Sequence, residues 1–267
     1  MTNQVAEKAI RNNAMKFIAL IWVAFQLYIA FFTGIPTIVA RTVHVAFASA
    51  IVFLTKPLSE EGKKSAFILD MICAAFYVGA AVFILYHGER YLCRMAYIDP
   101  IYSYDILVGL IFIVLLIEAC RRTLGLSMTI VVLTFIVYVF VGPHLPGFLR
   151  HRGIDLTSFV ELQFMTTNGI FGTSSGVSVD TVFYFMIFGA FLSATPAGKL
   201  FMSLARYATR NAKGGEGKTT IIACGLFGMI SGSASANVAS TGMLTYPAME
   251  KAGFRPLFGA SVLAIAG

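Results

Sequence analysis

The stretch from Lys218 to Glu250 reads KTTIIACGLFGMISGSASANVASTGMLTYPAME. Twelve residues, Thr219 to Ile230, precede a polar centre from Ser231 to Asn237, and twelve more, Val238 to Met249, follow it. As a helix, an arm of that length rises about 18 Å. A hydrocarbon core is roughly 30 Å thick, so neither arm crosses it. Two half-length arms with a polar tip describe a re-entrant helical hairpin over 219–249. Unwound backbone at that depth is tolerated where protein buries it or it lines a cavity, and broken helices are how secondary transporters build ion and substrate sites. Gly225, Gly228, Gly232, Ala234, Ala236, Ala239 and Gly242 keep the arms slim enough for close packing. The competing reading is one kinked span from Thr220 to Met243 whose serines bond back to their own helix. Small and hydroxylic residues are common at membrane helix contacts, and the stretch alone leaves both readings open.

Outside this stretch the chain has the composition of a membrane protein. Its 267 residues are 58% hydrophobic and 12% charged, about half the charge of a soluble domain. The apolar residues fall in runs at Phe17–Thr33, Ile35–Leu54, Ala66–Tyr86, Ile106–Cys120, Leu124–Val141 and Val179–Ala194. A further run, Leu257–Gly267, is too short to span, so the sequence is expected to be part of a longer protein. Between Phe148 and Val177, Leu156, Val160, Gln163, Phe164 and Thr167 share a helical face, which predicts an interfacial helix. The fold class is therefore an all-α, polytopic helical membrane protein, and with the hairpin reading of 219–249 it would be the fold of a helical transporter with a re-entrant hairpin.

Charge sets the orientation. Net charge is +7, with the positive residues in short clusters between apolar runs rather than on one nucleic-acid-binding face. With the N-terminus in the cytoplasm, 15 of the 20 Lys and Arg are cytoplasmic: Lys8, Arg11, Lys16, Lys56, Lys63, Lys64, Arg121, Arg122, Lys199, Arg206, Arg210, Lys213, Lys218, Lys251 and Arg255. Arg90, Arg94, Arg150 and Arg152 fall outside, and Arg41 lies in a span. This is the positive-inside pattern, and it holds only if 219–249 enters and leaves on one side. The N-terminal MTNQVAEKAIRNNAMK lacks a signal-peptide cleavage site, so the first run is expected to stay as an anchor.

Other motifs carry less. GGEGKT (Gly214 to Thr219) has Ala212 where a phosphate-binding loop needs glycine, and no strand precedes it. Cys73, Cys93, Cys120 and Cys224 have no metal-ligand or redox spacing. Arg41 and His44, three apart in a span, suit a structural role, with Arg41 close enough to the outer surface to snorkel. Glu118 is spaced to pair with Arg121 and Arg122, and Asp70 is expected at the interface. No arrangement of a nucleophile with a base or of paired carboxylates supports an enzyme.

The segment GGEGKTTIIACGLFGMISGSASANVASTGMLTYPAMEKAGFRP resembles the large membrane subunit of TRAP transporters, the tripartite ATP-independent periplasmic transporters. The matching positions are Gly214, Gly215, Lys218, Phe227, Gly228, Ile230 to Ser233, Ala236, Asn237, Thr241, Gly242, Pro247, Met249, Gly253, Phe254 and Pro256. Upstream, IEACRR (Ile117 to Arg122), LPG (Leu145 to Gly147), GIFG (Gly169 to Gly172) and FGAFL (Phe188 to Leu192) look like the fused type. There a four-helix small-subunit region precedes the large subunit, which usually works with TAXI-class binding proteins. Glu216-Gly217 and Ser235 depart from that pattern. The resemblance implies a small-subunit-like region over 1–122 and the start of a transport domain over 123–267. It implies uptake of a small organic anion driven by a cation gradient, usually Na+, with no ATP hydrolysed and no bound cofactor. The partners implied are a periplasmic substrate-binding protein, the remainder of the large subunit and bacterial inner-membrane lipid, and no nucleic acid. Arg150, Arg152 and their connection are expected to help dock the binding protein.

The site expected on these grounds is Ser231, Gly232, Ser233, Ser235, Asn237, Thr241 and Gly242. The serines and Asn237 alternate along a stretch read as non-helical, so their oxygens would face one side, and Na+ is placed at Ser231, Ser233 and Asn237. A membrane scaffold without transport is the alternative function.

Overall fold

In the computed structural model of the chain, the described residues are 2–32, 34–58, 64–96, 98–193, 195–231 and 234–267. Among them there is no strand. Six helices are long and apolar enough to cross a membrane: Glu7–Phe31, Thr37–Thr55, Lys64–Cys93, Ser103–Leu124, Leu126–His144 and Thr173–Phe191. They coincide with the six apolar runs, and the protein is an all-α polytopic membrane protein. By packing, the chain forms two compact units, Met1–Val179 and Asp180–Gly267.

In the first unit, helices α1 (Thr2–Phe31), α2 (Thr37–Thr55), α3 (Lys64–Cys93) and α4 (Ser103–Leu124) run up and down, and α5 (Leu126–Val141) packs on α4. The chain passes from α4 to α5 through Gly125, whose φ of +83° suits a residue without a Cβ. Helix α2 is the most enclosed, with Val43, Ala46, Ala50 and Phe53 fully buried. It meets α3 closely, since a Cβ on Gly88 would lie 2.4 Å from Val39. Two helices extend past the apolar runs that announced them. Helix α1 takes in the polar N-terminal stretch because Arg11 has a partner on α3. Helix α3 continues beyond Tyr86 to Cys93 because Gly88 packs on α2 while Arg90 and Tyr91 bind Asp105 of α4.

The connection after α5 differs from the interfacial helix expected there. Helix α6 (Leu156–Val160) winds on through a wider π-helical turn, Glu161–Met165, before the chain reverses into α7 (Thr173–Val177). Phe159, Val160, Phe164, Met165 and Phe171 are buried, Phe164 and Phe171 against Phe112 of α4 and Phe159 against Phe140 of α5, whereas Leu156 is exposed. The segment is core, because it turns five large apolar side chains inward rather than one stripe to a membrane surface. The reversal depends on Gly169, where a Cβ would stand 2.4 Å from the Leu162 carbonyl and 2.5 Å from Gln163 Cα.

The second unit holds α8 (Phe183–Ser193), α9 (Ala197–Thr209), α10 (Gly215–Ser231), α11 (Ala234–Lys251) and α12 (Pro256–Ala266). Helix α10 is its centre, packing against each of the other four. Met202 and Ala205 of α9 bury against it, and the Thr209 and Thr219 hydroxyls lie 2.6 Å apart.

Candidate functional site

The stretch that decided the fold forms a helical hairpin. Arms α10 and α11 have 17 and 18 residues, rising about 25 and 27 Å, and they lie against one another. They are longer than the twelve-residue arms expected because Gly215 to Lys218, Glu250 and Lys251 on the flanks and Ser231 and 234–237 at the apex are helical too. The Asn237 amide donates to the Cys224 carbonyl at 2.9 Å, across 13 residues of sequence. In one continuous helix those positions would be about 20 Å apart, which excludes the single kinked span.

Asn237, Thr241 and Thr245 form a polar stripe at helical spacing on α11, exposed to 1%, 0% and 2%. Thr241 donates its hydroxyl to Asn237 Oδ1 at 3.2 Å, and Thr245 donates to the Thr241 carbonyl. Asn237 thus braces the arms while its amide oxygen takes a neighbouring hydroxyl. A Cβ on Gly228 would lie 3.3 Å from the Asn237 amide nitrogen, so glycine makes room for this brace. A Cβ on Gly242 would meet Leu263 of α12 at 2.7 Å, so Gly242 sets a close helix contact.

Of the expected site residues, Gly232 and Ser233 lie outside the described residues, as do the side chains of Ser231 and Ser235. One element of the expectation changes. Residues 234–237 are already the first turn of α11, so Ser235 and Asn237 are about 200° apart around the helix and do not share a face by alternation. The residue that shares a face with Asn237 is Thr241.

The first unit holds polar groups that the sequence placed less well. Asp70, expected at the interface, is fully buried and bridges Arg11 of α1 at 2.7 Å and Arg122 of α4 at 2.6 Å. Arg122 also binds Glu118 at 2.7 Å and the Lys56 carbonyl at 3.0 Å. The Glu118 pairing with Arg121 and Arg122 is as expected. At the opposite ends of these helices Arg90 pairs with Asp105, and Arg94 pairs with the buried Glu161 at 2.8 Å. Arg41 does not snorkel: it donates to the Phe171 and Gly172 carbonyls at 2.9 and 3.1 Å and so caps the reversal before α7. His44 sits between Gln26 and Ser178, and Gln26 donates to the Val179 carbonyl at 2.7 Å. Glu161 went unremarked in the sequence, where the signal was a lone charge in the mostly apolar FVELQFM.

Among the described residues no three His, Cys, Asp or Glu side chains gather as a metal site. What the hairpin offers is hydroxyl, amide and carbonyl oxygen, the donor set of a hard monovalent cation.

Residues 111–267, more than half of the chain, match the family described as the tripartite ATP-independent periplasmic transporter, DctM component. The chain belongs to this family. Among curated TRAP permeases, the C4-dicarboxylate large permease protein DctM of Pseudomonas aeruginosa is 29% identical over 98 residues, 37% of this chain and 23% of the relative. Its namesake in Rhodobacter capsulatus is 36% identical over 84 residues, 32% of this chain and 19% of the relative. The isethionate permease protein DctMQ of Oleidesulfovibrio alaskensis is 37% identical over 84 residues, 32% of this chain and 13% of the relative. The matches thus span about a fifth of the length of these TRAP relatives. No solved structure matches the chain.

Proposed function

We propose that this TRAP-family chain takes part in cation-coupled uptake of a small organic anion across the bacterial inner membrane. In this reading 1–122 is a fused small-subunit-like region and 123–267 opens the large-subunit transport domain. The coupling ion is Na+, the N-terminus is cytoplasmic, and a periplasmic substrate-binding protein of the TAXI class delivers the substrate. No reaction is catalysed. The hairpin 219–249 enters and leaves from the cytoplasmic side and brings its polar tip near mid-membrane. There Ser231, Ser233 and Asn237 hold the ion, with Gly232, Ser235, Thr241 and Gly242 completing the site and the remainder of the large subunit closing it.

The observation that carries this proposal is the pair of packed arms braced by Asn237, inside the region matched to the permease family. Oxygen-rich broken helices suit cation coupling, and the basic residues flanking both arms favour return to one side. The test is uptake by the complete transporter in proteoliposomes. Transport should require an external cation gradient and the added binding protein. Ser233→Ala and Asn237→Ala should weaken its cation dependence while expression is kept. Full uptake without the binding protein would overturn the tripartite reading, and unchanged cation affinity in both variants would place the ion elsewhere.

A further inference from the structure

A cavity of about 490 Å³ opens beside the end of α5, lined by Phe140, Pro143, Arg152, Asp155 and Ser158 among others. We propose that it binds the headgroup of a primary-amine phospholipid, a phosphatidylethanolamine, with the phosphate on Arg152 and the ammonium on Asp155.

Position is the first reason. The apolar span Leu126–His144 has 19 residues, about 28 Å of helix against a core of about 30 Å, so the loop that follows it stands at headgroup level. The loop is also built rather than loose. The His151 Nε2–H donates to the Tyr138 carbonyl at 3.0 Å, its Nδ1 accepts the Gly153 N–H at 3.0 Å, and the Tyr138 hydroxyl donates to the Leu149 carbonyl at 3.0 Å. Gly142 leaves the space that the imidazole occupies. From this frame Phe148 is 95% exposed and Leu149 44%. In water such a phenylalanine on a fixed loop gains nothing; at the top of the acyl chains it is at home.

Charge selects the lipid. The Arg152 guanidinium suits a phosphate, and no ion pair involves it among the described residues. Asp155 Oδ2 accepts the Ser158 N–H and Oδ1 the Ser158 hydroxyl, which leaves further lone pairs for an ammonium. The hydrogen bond from the Ser158 hydroxyl holds the carboxyl below its ordinary range, so Asp155 is anionic. A purely anionic lipid would meet this carboxylate with repulsion. A choline lipid has no N–H to give it. Only a zwitterion with a primary amine answers both charges.

The experiment uses the full chain with Trp22, its single tryptophan, replaced by Phe and a reporter introduced by Phe148→Trp. The protein is reconstituted in phosphatidylcholine vesicles doped equally with acyl-brominated phosphatidylethanolamine, phosphatidylglycerol or phosphatidylcholine, present in both leaflets so that orientation does not matter. Quenching of the tryptophan should be severalfold stronger with the brominated ethanolamine lipid. Arg152→Gln and Asp155→Asn should each remove that preference; Asn is itself a good helix cap, so the second variant keeps the loop. Equal quenching by all three lipids would overturn the proposal, as would preference for phosphatidylglycerol. So would emission that ignores every lipid and shifts only on addition of a periplasmic binding protein, which would give this loop to docking.

Discussion

Asp70→Asn is the sharpest perturbation of the first unit. The change keeps the shape of the side chain and removes the charge that Arg11 and Arg122 share. Asp70 is fully buried, Arg122 is 6% exposed and Arg11 15%. Breaking a buried ion pair from one side costs about 3–5 kcal/mol, because the partner charge is left uncompensated. Here Arg122 keeps Glu118 and the Lys56 carbonyl, and Arg11 keeps the Phe53 carbonyl, so about 3 kcal/mol, the low end of that range, is expected. Arg11→Met leaves Asp70 its bond to Arg122 and removes the more exposed partner, so it should cost only about 1.5–2 kcal/mol, the lower range for one hydrogen bond to a charged group. The assay is unfolding of the detergent-solubilised protein, followed by helical circular dichroism, with amide exchange along α1. Exchange should quicken first in α1, since Arg11 is its tie at that end. A loss under about 0.5 kcal/mol for Asp70→Asn, the range of ordinary surface changes, or a larger loss for Arg11→Met, would refute the reasoning.

Gly169→Ala should destabilise the first unit by about 1–3 kcal/mol as an overpacking change, since the new methyl meets backbone at Leu162 and Gln163; thermal melts check it, and an unshifted midpoint would remove the turn from the account. Asn237→Ala should cost about 1 kcal/mol, the scale of hydrogen bonds inside membranes, visible as faster proteolysis of the 215–251 hairpin. Glu161→Gln should release Arg94, which is 9% exposed in the pair, so cleavage by trypsin after Arg94 in the solubilised protein should quicken, and an unchanged cleavage rate would remove the pair from the account. Asp155 has its carboxyl held low by the Ser158 hydroxyl. Its contribution to the loop is therefore present above the ordinary carboxylate range and fades as pH falls through the lowered value, and amide exchange at Ser158 should quicken only in that acid window.

Much of the fold was legible because a bilayer leaves little freedom: an apolar run of about 20 residues has to be a helix. The six spans and the Glu118 pairing with its two arginines follow from local spacing alone. The hairpin needed more, since small and hydroxylic residues suit both a re-entrant pair and a kinked helix. The packing of α10 on α11 and the contact of Asn237 with Cys224 separate them. What the sequence hid were the long-range polar contacts. Asp70 near a span end looks interfacial until Arg11 and Arg122, 59 and 52 residues away, converge on it. Glu161 looks incidental until Arg94 pairs with it. At the apex the helix begins earlier than expected for a local reason: Ala234, Ser235 and Ala236 start a helix as readily as they continue a turn, so 234–237 join α11.

The central claim is that the packed arms α10 and α11 return to the side from which they came. Single cysteines at Lys213, just before α10, and Lys251, the last residue of α11, both exposed, in a chain freed of Cys73, Cys93, Cys120 and Cys224, test it directly with an impermeant maleimide added to right-side-out and inside-out vesicles. Both positions should be labelled only from the cytoplasmic side. Labelling of one from each side would establish a full crossing and contradict the re-entrant hairpin.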